Sequence, residues 1–265
     1  AETPAAPETP AETETPTDGE LPWAGHTLYV ANWQGYNSDE DYCEKAFEDM
    51  TGAQVEHVYF NSYDELMTTL YSPEERKKIE WAVGAIVNGD SRKIQKFLVL
   101  YGPPGSGKST VLNIVQKLFD GYWSVFDSKV LGSSSNAFAL EAFKSNPLIA
   151  IQHDGDLSRI EDNTRLNSLV SHETMLVNEK FRSQYSSQFK CFMFLGTNKP
   201  VKITDAKSGL IRRLIDVEPT GEKIPAKKYR DLVAKVDFEL GGIAWNCKEV
   251  YEQNKHLYDD YIPTR

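Results

Sequence analysis

The chain's densest chemistry lies in Gly102-Pro103-Pro104-Gly105-Ser106-Gly107-Lys108-Ser109-Thr110. These residues satisfy the phosphate-loop pattern G-x-x-x-x-G-K-[ST] at every fixed position. Glycines let the backbone turn its N–H groups inward around an anion. A helix that starts at the end of such a loop adds the positive end of its dipole. Lys108 is the residue type that reaches the β- and γ-phosphates of a nucleoside triphosphate, and the Ser109 hydroxyl suits magnesium.

A phosphate loop needs an acidic partner on a neighbouring strand to hold magnesium, directly or through water. Pro147 to Gln152 is an apolar run that ends in His153-Asp154-Gly155-Asp156. Asp154 is expected at the metal and Asp156 at the attacking water, with the reverse order also open. Phe189 to Leu195 is a second apolar run, ending in Gly196-Thr197-Asn198. An asparagine at that strand tip can hydrogen-bond the γ-phosphate or the attacking water. Gly209-Leu210-Ile211-Arg212-Arg213-Leu214 places two arginines together on an apolar segment. They serve either as salt-bridge partners or as an arginine finger that reaches the γ-phosphate of a neighbouring subunit.

These residues need elements to position them. Phe97-Leu98-Val99-Leu100-Tyr101 reads as a buried strand feeding the loop, and Val111 to Phe119 has helical spacing after it. Ser72-Pro73-Glu74-Glu75 reads as a helix start, with Ser72 as N-cap, Pro73 at the first position and Glu75 closing a capping box; the helix runs to Val87. Upstream, residues 27–71 read as strand, helix, strand, helix: Thr27–Val30, Ser38–Met50 with Gly52 past its end, Val55–Phe60 and Ser62–Tyr71. Residues 1–26 form an acidic, Pro-rich tether, because residues 1–21 are Ala, Glu, Thr and Pro with almost nothing apolar to bury.

The formal charge of the 265 residues is −10; residues 1–20 carry six acids and no base, so the remainder carries −4. Nucleic acid can therefore be met only through a local basic patch. Residues 178–202 supply one, with Lys180, Arg182, Lys190, Lys199 and Lys202 against the single acid Glu179. Cys43, Cys191 and Cys247 are widely spaced and odd in number, which gives neither a metal pattern nor a disulfide framework. No apolar run approaches membrane-spanning length, and none at the start resembles a signal-peptide core.

Two resemblances follow from these motifs. The order GPPGSGKST, IAIQHDGD, FMFLGTN, GLIRRL resembles the superfamily 3 helicases, an AAA+-related group, and within it the helicase domains of viral and phage primase-helicases. The resemblance covers about residues 72–255, including the late run Phe238 to Trp245. It implies a DNA-contacting hairpin between the second and third motifs, with Lys180 and Arg182 at its basic positions and Phe181 placed to stack on a base. The sequence departs from that family in its Asp-Gly-Asp acids. Residues 27–71 resemble the start of spermidine/putrescine-type periplasmic substrate-binding proteins, on Asn32, Trp33, Tyr36, Thr51, Gly52 and Val55. There the tryptophan and tyrosine help box an amine ligand.

The expected fold is α/β: a P-loop NTPase of AAA+ type with a central, mostly parallel sheet and flanking helices, preceded by a small βαβ segment and with a boundary near residue 72. The expected function is ATP hydrolysis with Mg2+, coupled to movement along single-stranded DNA by a homo-oligomeric ring, a hexamer, in company with a primase or polymerase. The expected compartment is the cytoplasm, that of the host for a phage protein. The first 71 residues alone point instead to a secreted or lipoprotein origin, as in a fusion or chimera. Two other readings stand beside this one: a small-molecule kinase, and a fragment of a polyamine-binding lobe.

Overall fold

A computed structural model describes residues 21–32, 41–59, 61–133, 135–157, 162–199 and 209–263. The chain divides into two compact units, one ending at residue 60 and the other starting at Asn61. Trp33 and Tyr36, the aromatic pair of the amine-box resemblance, lie outside the described residues, as does Ser38.

The first unit is a βαβ segment: β1 (Thr27–Asn32), α1 (Asp41–Thr51) and β2 (Gln54–Tyr59), with the strands parallel and Leu28 beside Val55. Gly52 ends α1 with a φ of 76°, the left-handed turn expected just past a helix end.

The second unit begins with α2 (Ser62–Leu70) and α3 (Pro73–Val87). Its sheet holds β3 (Phe97–Tyr101), β4 (Trp123–Val125), β5 (Ile149–Gln152), β8 (Phe192–Thr197) and β9 (Leu214–Val217). The strand order is β4-β5-β8-β3-β9 and every pairing is parallel. A parallel sheet covered on both faces wants continuous apolar strands rather than alternating ones. FLVLY, IAIQ and FMFLGT meet that demand, and Leu98, Val99, Leu100, Ala150, Ile151 and Phe194 are fully buried. The helices around it are α4 (Lys108–Leu118), the short α5 (Ser128–Leu131), α6 (Thr164–Val170) and the long α7 (Ala226–Gln253). Two further strands, β6 (Thr174–Val177) and β7 (Tyr185–Gln188), form a separate antiparallel hairpin. Among the described residues no helix is long and apolar enough to cross a membrane.

The second unit starts eleven residues before the sequence-based boundary near 72. The reason is α2, which buries Tyr63, Leu66, Met67 and Leu70 and packs on α7. The buried Glu239 carboxylate of α7 caps the start of α2, accepting from Ser62 N at 2.9 Å and Tyr63 N at 3.0 Å. A carboxylate there satisfies two otherwise orphaned N–H groups and faces the positive helix end. α3 and α7 cross so closely that a Cβ on Gly84 would stand 1.9 Å from the Cys247 carbonyl oxygen, so only glycine fits. The capping box at the start of α3 is half formed. Ser72 Oγ accepts from Glu75 N at 3.4 Å, but the Glu75 carboxylate turns to Lys78 Nζ at 2.7 Å and to Glu218 N at 2.8 Å. That choice ties α3 to the segment after β9.

Candidate nucleotide site and hairpin

The elements place three of the sequence motifs, the P-loop, the acidic loop and the tip that carries Asn198, at the carboxyl end of the sheet, whereas Arg212 and Arg213 precede β9 at its amino end. β3, β8 and β5 are neighbours, and their register sets Tyr101 beside Thr197 and Gln152 beside Leu195. The loops after these strands therefore leave the same carboxyl end side by side, which is where open α/β sheets bind ligands. Gly102 N donates to Thr197 O at 3.1 Å, fixing the start of the P-loop to the end of β8. Gly155 N donates to Gly196 O at 2.8 Å, joining the acidic loop to the same strand.

Within the P-loop, Pro103, Pro104, Gly105 and Ser109 are exposed, whereas Gly102, Ser106, Lys108 and Thr110 are buried. Gly107 precedes α4 with a φ of 89°, and a Cβ there would stand 2.6 Å from Leu70 Cδ1. Backbone conformation and space both demand glycine at that position. Lys108 Nζ folds back onto its own loop, donating to Gly102 O at 2.7 Å, Pro103 O at 2.9 Å and, more weakly, Ser106 Oγ at 3.4 Å. Burial pulls the Lys108 ammonium below its ordinary pKa, and the charge of Asp154 opposes that pull. The loop carbonyls thus hold a desolvated cation where an anion would serve it better.

A cavity of 430 Å3 opens along the P-loop from Gly105 to Thr110 and continues past Leu70, Ile224 and Tyr229. Tyr229 Oη stands 2.9 Å from Thr110 Oγ1, a hydrogen bond between α4 and the first turn of α7. Neither the wall formed by Leu70, Ile224 and Tyr229 nor this link was legible in the sequence. Tyr229 lies 119 residues from Thr110 and belongs to no phosphate-binding motif.

At the acidic loop, Asp154 is exposed and its Oδ1 accepts from Asn198 Nδ2 at 3.4 Å. Asp156 is buried and pairs with Lys199 Nζ at 2.9 Å. The two residues following β8 thus meet the two acids in turn. Lys199, which sequence reasoning placed only in a basic patch, is a partner of Asp156. His153 is half-buried, and burial pulls its imidazole pKa down.

The residues present fit magnesium. Ser109 offers a hydroxyl and Asp154 an exposed carboxylate, both hard oxygen donors. Mg2+ takes one or two protein oxygens together with phosphates and water rather than a full protein cage. Among the described residues there is no group of three or more His, Cys, Asp or Glu able to hold a metal alone.

The two arginines separate. Arg212 is exposed and Arg213 is buried. Arg213 donates through Nε at 2.9 Å and Nη2 at 2.6 Å to Ser171 Oγ, and through Nη1 at 2.9 Å to Gly209 O. Its guanidinium is thus engaged inside its own chain, which leaves Arg212 as the arginine that faces outward. Lys96 Nζ holds the Arg212 backbone, donating to its carbonyl at 2.7 Å.

Lys180, Phe181 and Arg182 sit together in the turn between β6 and β7. Phe181 is wholly exposed, with a φ of 62°. Lys180 Nζ lies 6.0 Å from the Phe138 ring centre. The Glu179 carboxylate braces the turn, accepting from Tyr185 Oη at 2.8 Å and pairing with Arg182 Nη1 at 3.2 Å.

A model of a family of unknown function (DUF5906) matches residues 100–213, from the end of β3 to the arginine turn and less than half of the chain. By structure, the chain is similar to the apo NrS-1 C-terminal region (305–718), with a TM-score of 0.53 and 17% identity over 73% of this chain and 51% of that one. It is similar also to the A-form apo structure of the same region, with a TM-score of 0.52 and 16% identity over 73% and 50% of the two chains. The chain spans about half the length of the solved structures it matches. The fold it shares with them is a mixed α/β one with a central parallel sheet of five strands and flanking helices.

Proposed function

We propose that the second unit is an ATP-hydrolysing motor of helicase type that acts on single-stranded DNA as a ring of identical subunits. The observation that carries this reading is the convergence of Lys108, Asp154 and Asn198 at the carboxyl ends of three adjacent parallel strands. The P-loop takes the triphosphate in its backbone N–H groups and at the start of α4. Lys108 leaves the carbonyls of Gly102 and Pro103 and turns to the β- and γ-phosphates, exchanging neutral acceptors for anionic ones. Ser109 and Asp154 would hold Mg2+, whose chemistry is to neutralise charge on the phosphate oxygens. Asn198, whose Nδ2 stands 3.4 Å from Asp154 Oδ1, would orient the attacking water or the γ-phosphate. Asp156 is the acid beside that water, with its charge held by Lys199.

Arg212 completes the site from a neighbouring subunit. It is exposed, on a turn whose backbone is fixed, and its own chain already spends Arg213 internally. The hairpin turn, with Lys180, Phe181 and Arg182, offers two cations for phosphates and an exposed ring for a base. ATP hydrolysis measured with and without single-stranded DNA, across a range of protein concentrations, tests the proposal. A slow basal rate that rises with DNA, and a specific activity that grows with concentration, are expected. A rate indifferent to both would contradict it.

A further inference from the structure

The hydrogen bonds between Arg213 and Ser171 join two parts of the molecule that the proposed function uses separately. Ser171 directly follows α6, and only two residues stand between it and the hairpin strand β6. The base of the hairpin is built on the same short segment. Gln188 Nε2, at the end of β7, donates to His172 O at 2.5 Å. The buried His172 ring, whose φ of 55° turns the chain sharply, meets Phe189 O through Nδ1 at 3.0 Å and, through Nε2, Ser91 O at 3.1 Å and Ile94 O at 3.0 Å. Ser168 Oγ donates to the Glu173 carboxylate at 2.7 Å and steadies the next residue. The base of the hairpin is thus tied to residues 171–173 by several hydrogen bonds.

On the other side, Arg213 belongs to the same three-residue turn as Arg212. Two of its guanidinium nitrogens grip one serine oxygen, and a third grips the carbonyl of Gly209, two residues before the turn. A planar fork held at three points transmits position far better than a flexible ammonium would.

We propose that Arg213 and Ser171 form a strut that ties the turn bearing Arg212 to the base of the hairpin, so that engagement of nucleic acid at Lys180–Arg182 and placement of Arg212 are one mechanical event. They are positioning residues and touch neither nucleotide nor nucleic acid. The proposal rests on the motor reading given above, and it adds the route by which DNA accelerates hydrolysis.

The test uses the full chain and compares the parent with Ser171→Ala, Ser171→Thr and Arg213→Lys. Four quantities are read: basal ATPase rate, affinity for a single-stranded oligonucleotide, the factor by which that oligonucleotide raises the rate, and the thermal midpoint. Ser171→Ala should keep the basal rate and the DNA affinity within about twofold, while the stimulation factor falls by at least about fivefold, the low end of allosteric coupling between sites. Ser171→Thr keeps the hydroxyl and should keep the stimulation. Arg213→Lys attacks the strut from its other end without changing charge, and should lose stimulation as Ser171→Ala does. Unaltered stimulation in a folded Ser171→Ala or Arg213→Lys protein overturns the strut. So does an equal fall of basal and stimulated rates, which marks a pair that only supports the fold. A parent whose hydrolysis ignores DNA would instead overturn the motor reading itself.

Discussion

Replacing Lys108 by alanine removes the one cation that the P-loop holds in place. Lys108 is 6% exposed, and its ammonium sits within 2.7 Å and 2.9 Å of two loop carbonyls. In the nucleotide complex those neutral acceptors give way to phosphate oxygens, and a charge-assisted hydrogen bond contributes about 1.5–3 kcal/mol. ATP affinity should therefore fall about tenfold to 150-fold. Turnover should fall further, by about a hundredfold to a thousandfold, as when one donor to developing charge is removed. The fold should not suffer, because burial already disfavours the Lys108 charge in the free protein. The sign of the pH dependence has the same cause. Phosphate favours the protonated amine, so ATP affinity in the parent should decline as pH rises through a Lys108 pKa lying below 10.5, and the variant should lack that decline. Calorimetric titration with ATP, phosphate release and a thermal melt read the three effects. ATP affinity unchanged to within twofold, in a folded variant, would refute the placement of Lys108 at the phosphates.

Glu239→Ala leaves Ser62 N and Tyr63 N without their buried acceptor and should cost about 2–3 kcal/mol, read as a midpoint lower by roughly 4–12 °C in thermal denaturation. A chain that starts at Asn61 should fold and bind ATP, whereas one that starts at Ser72 loses α2 and its buried Leu66, Met67 and Leu70, and should melt at lower temperature or precipitate. Equal melting of the two truncations would show that α2 is not part of the second unit's core. Lys180→Ala with Arg182→Ala should weaken single-stranded DNA binding and lower the log–log salt slope by about 0.7 for each phosphate that the pair no longer neutralises, with ATP affinity unaffected. An unchanged slope in an oligonucleotide titration would place the DNA path elsewhere.

Much of the second unit was legible because its determinants are local. FLVLY before the loop and the spaced apolar residues after it identified β3 and α4 to within three residues at either end. The acidic run and the run ending in Asn198 became β5 and β8 at the same edge of the sheet, since a buried parallel strand announces itself by an unbroken apolar run. What escaped depends on interactions between distant parts of the chain. The three-residue β4 is too short to show a pattern. Glu239 reads as one more charge on a long helix, and nothing local marks it as the cap of a helix 177 residues away. The division of labour between Arg212 and Arg213 could not be read from two adjacent arginines, because it is Ser171, on another element, that engages one of them. The unit boundary moved for the same reason. Ser72-Pro73 is a true helix start, yet the helix before it is held by α7 and so belongs with the elements that follow it.

The claim that hydrolysis is shared between subunits is tested most directly by mixing two inactive proteins. Arg212→Ala keeps an intact P-loop and loses the finger, at a cost of about a thousandfold or more in turnover. Lys108→Ala keeps the finger and loses the P-loop. Combined in equal amounts with single-stranded DNA present, they should create about a quarter of interfaces with one good half from each partner, and recover a matching share of the parent's rate. No recovery at any ratio, in a mixture that assembles on DNA as the parent does, would contradict a shared site.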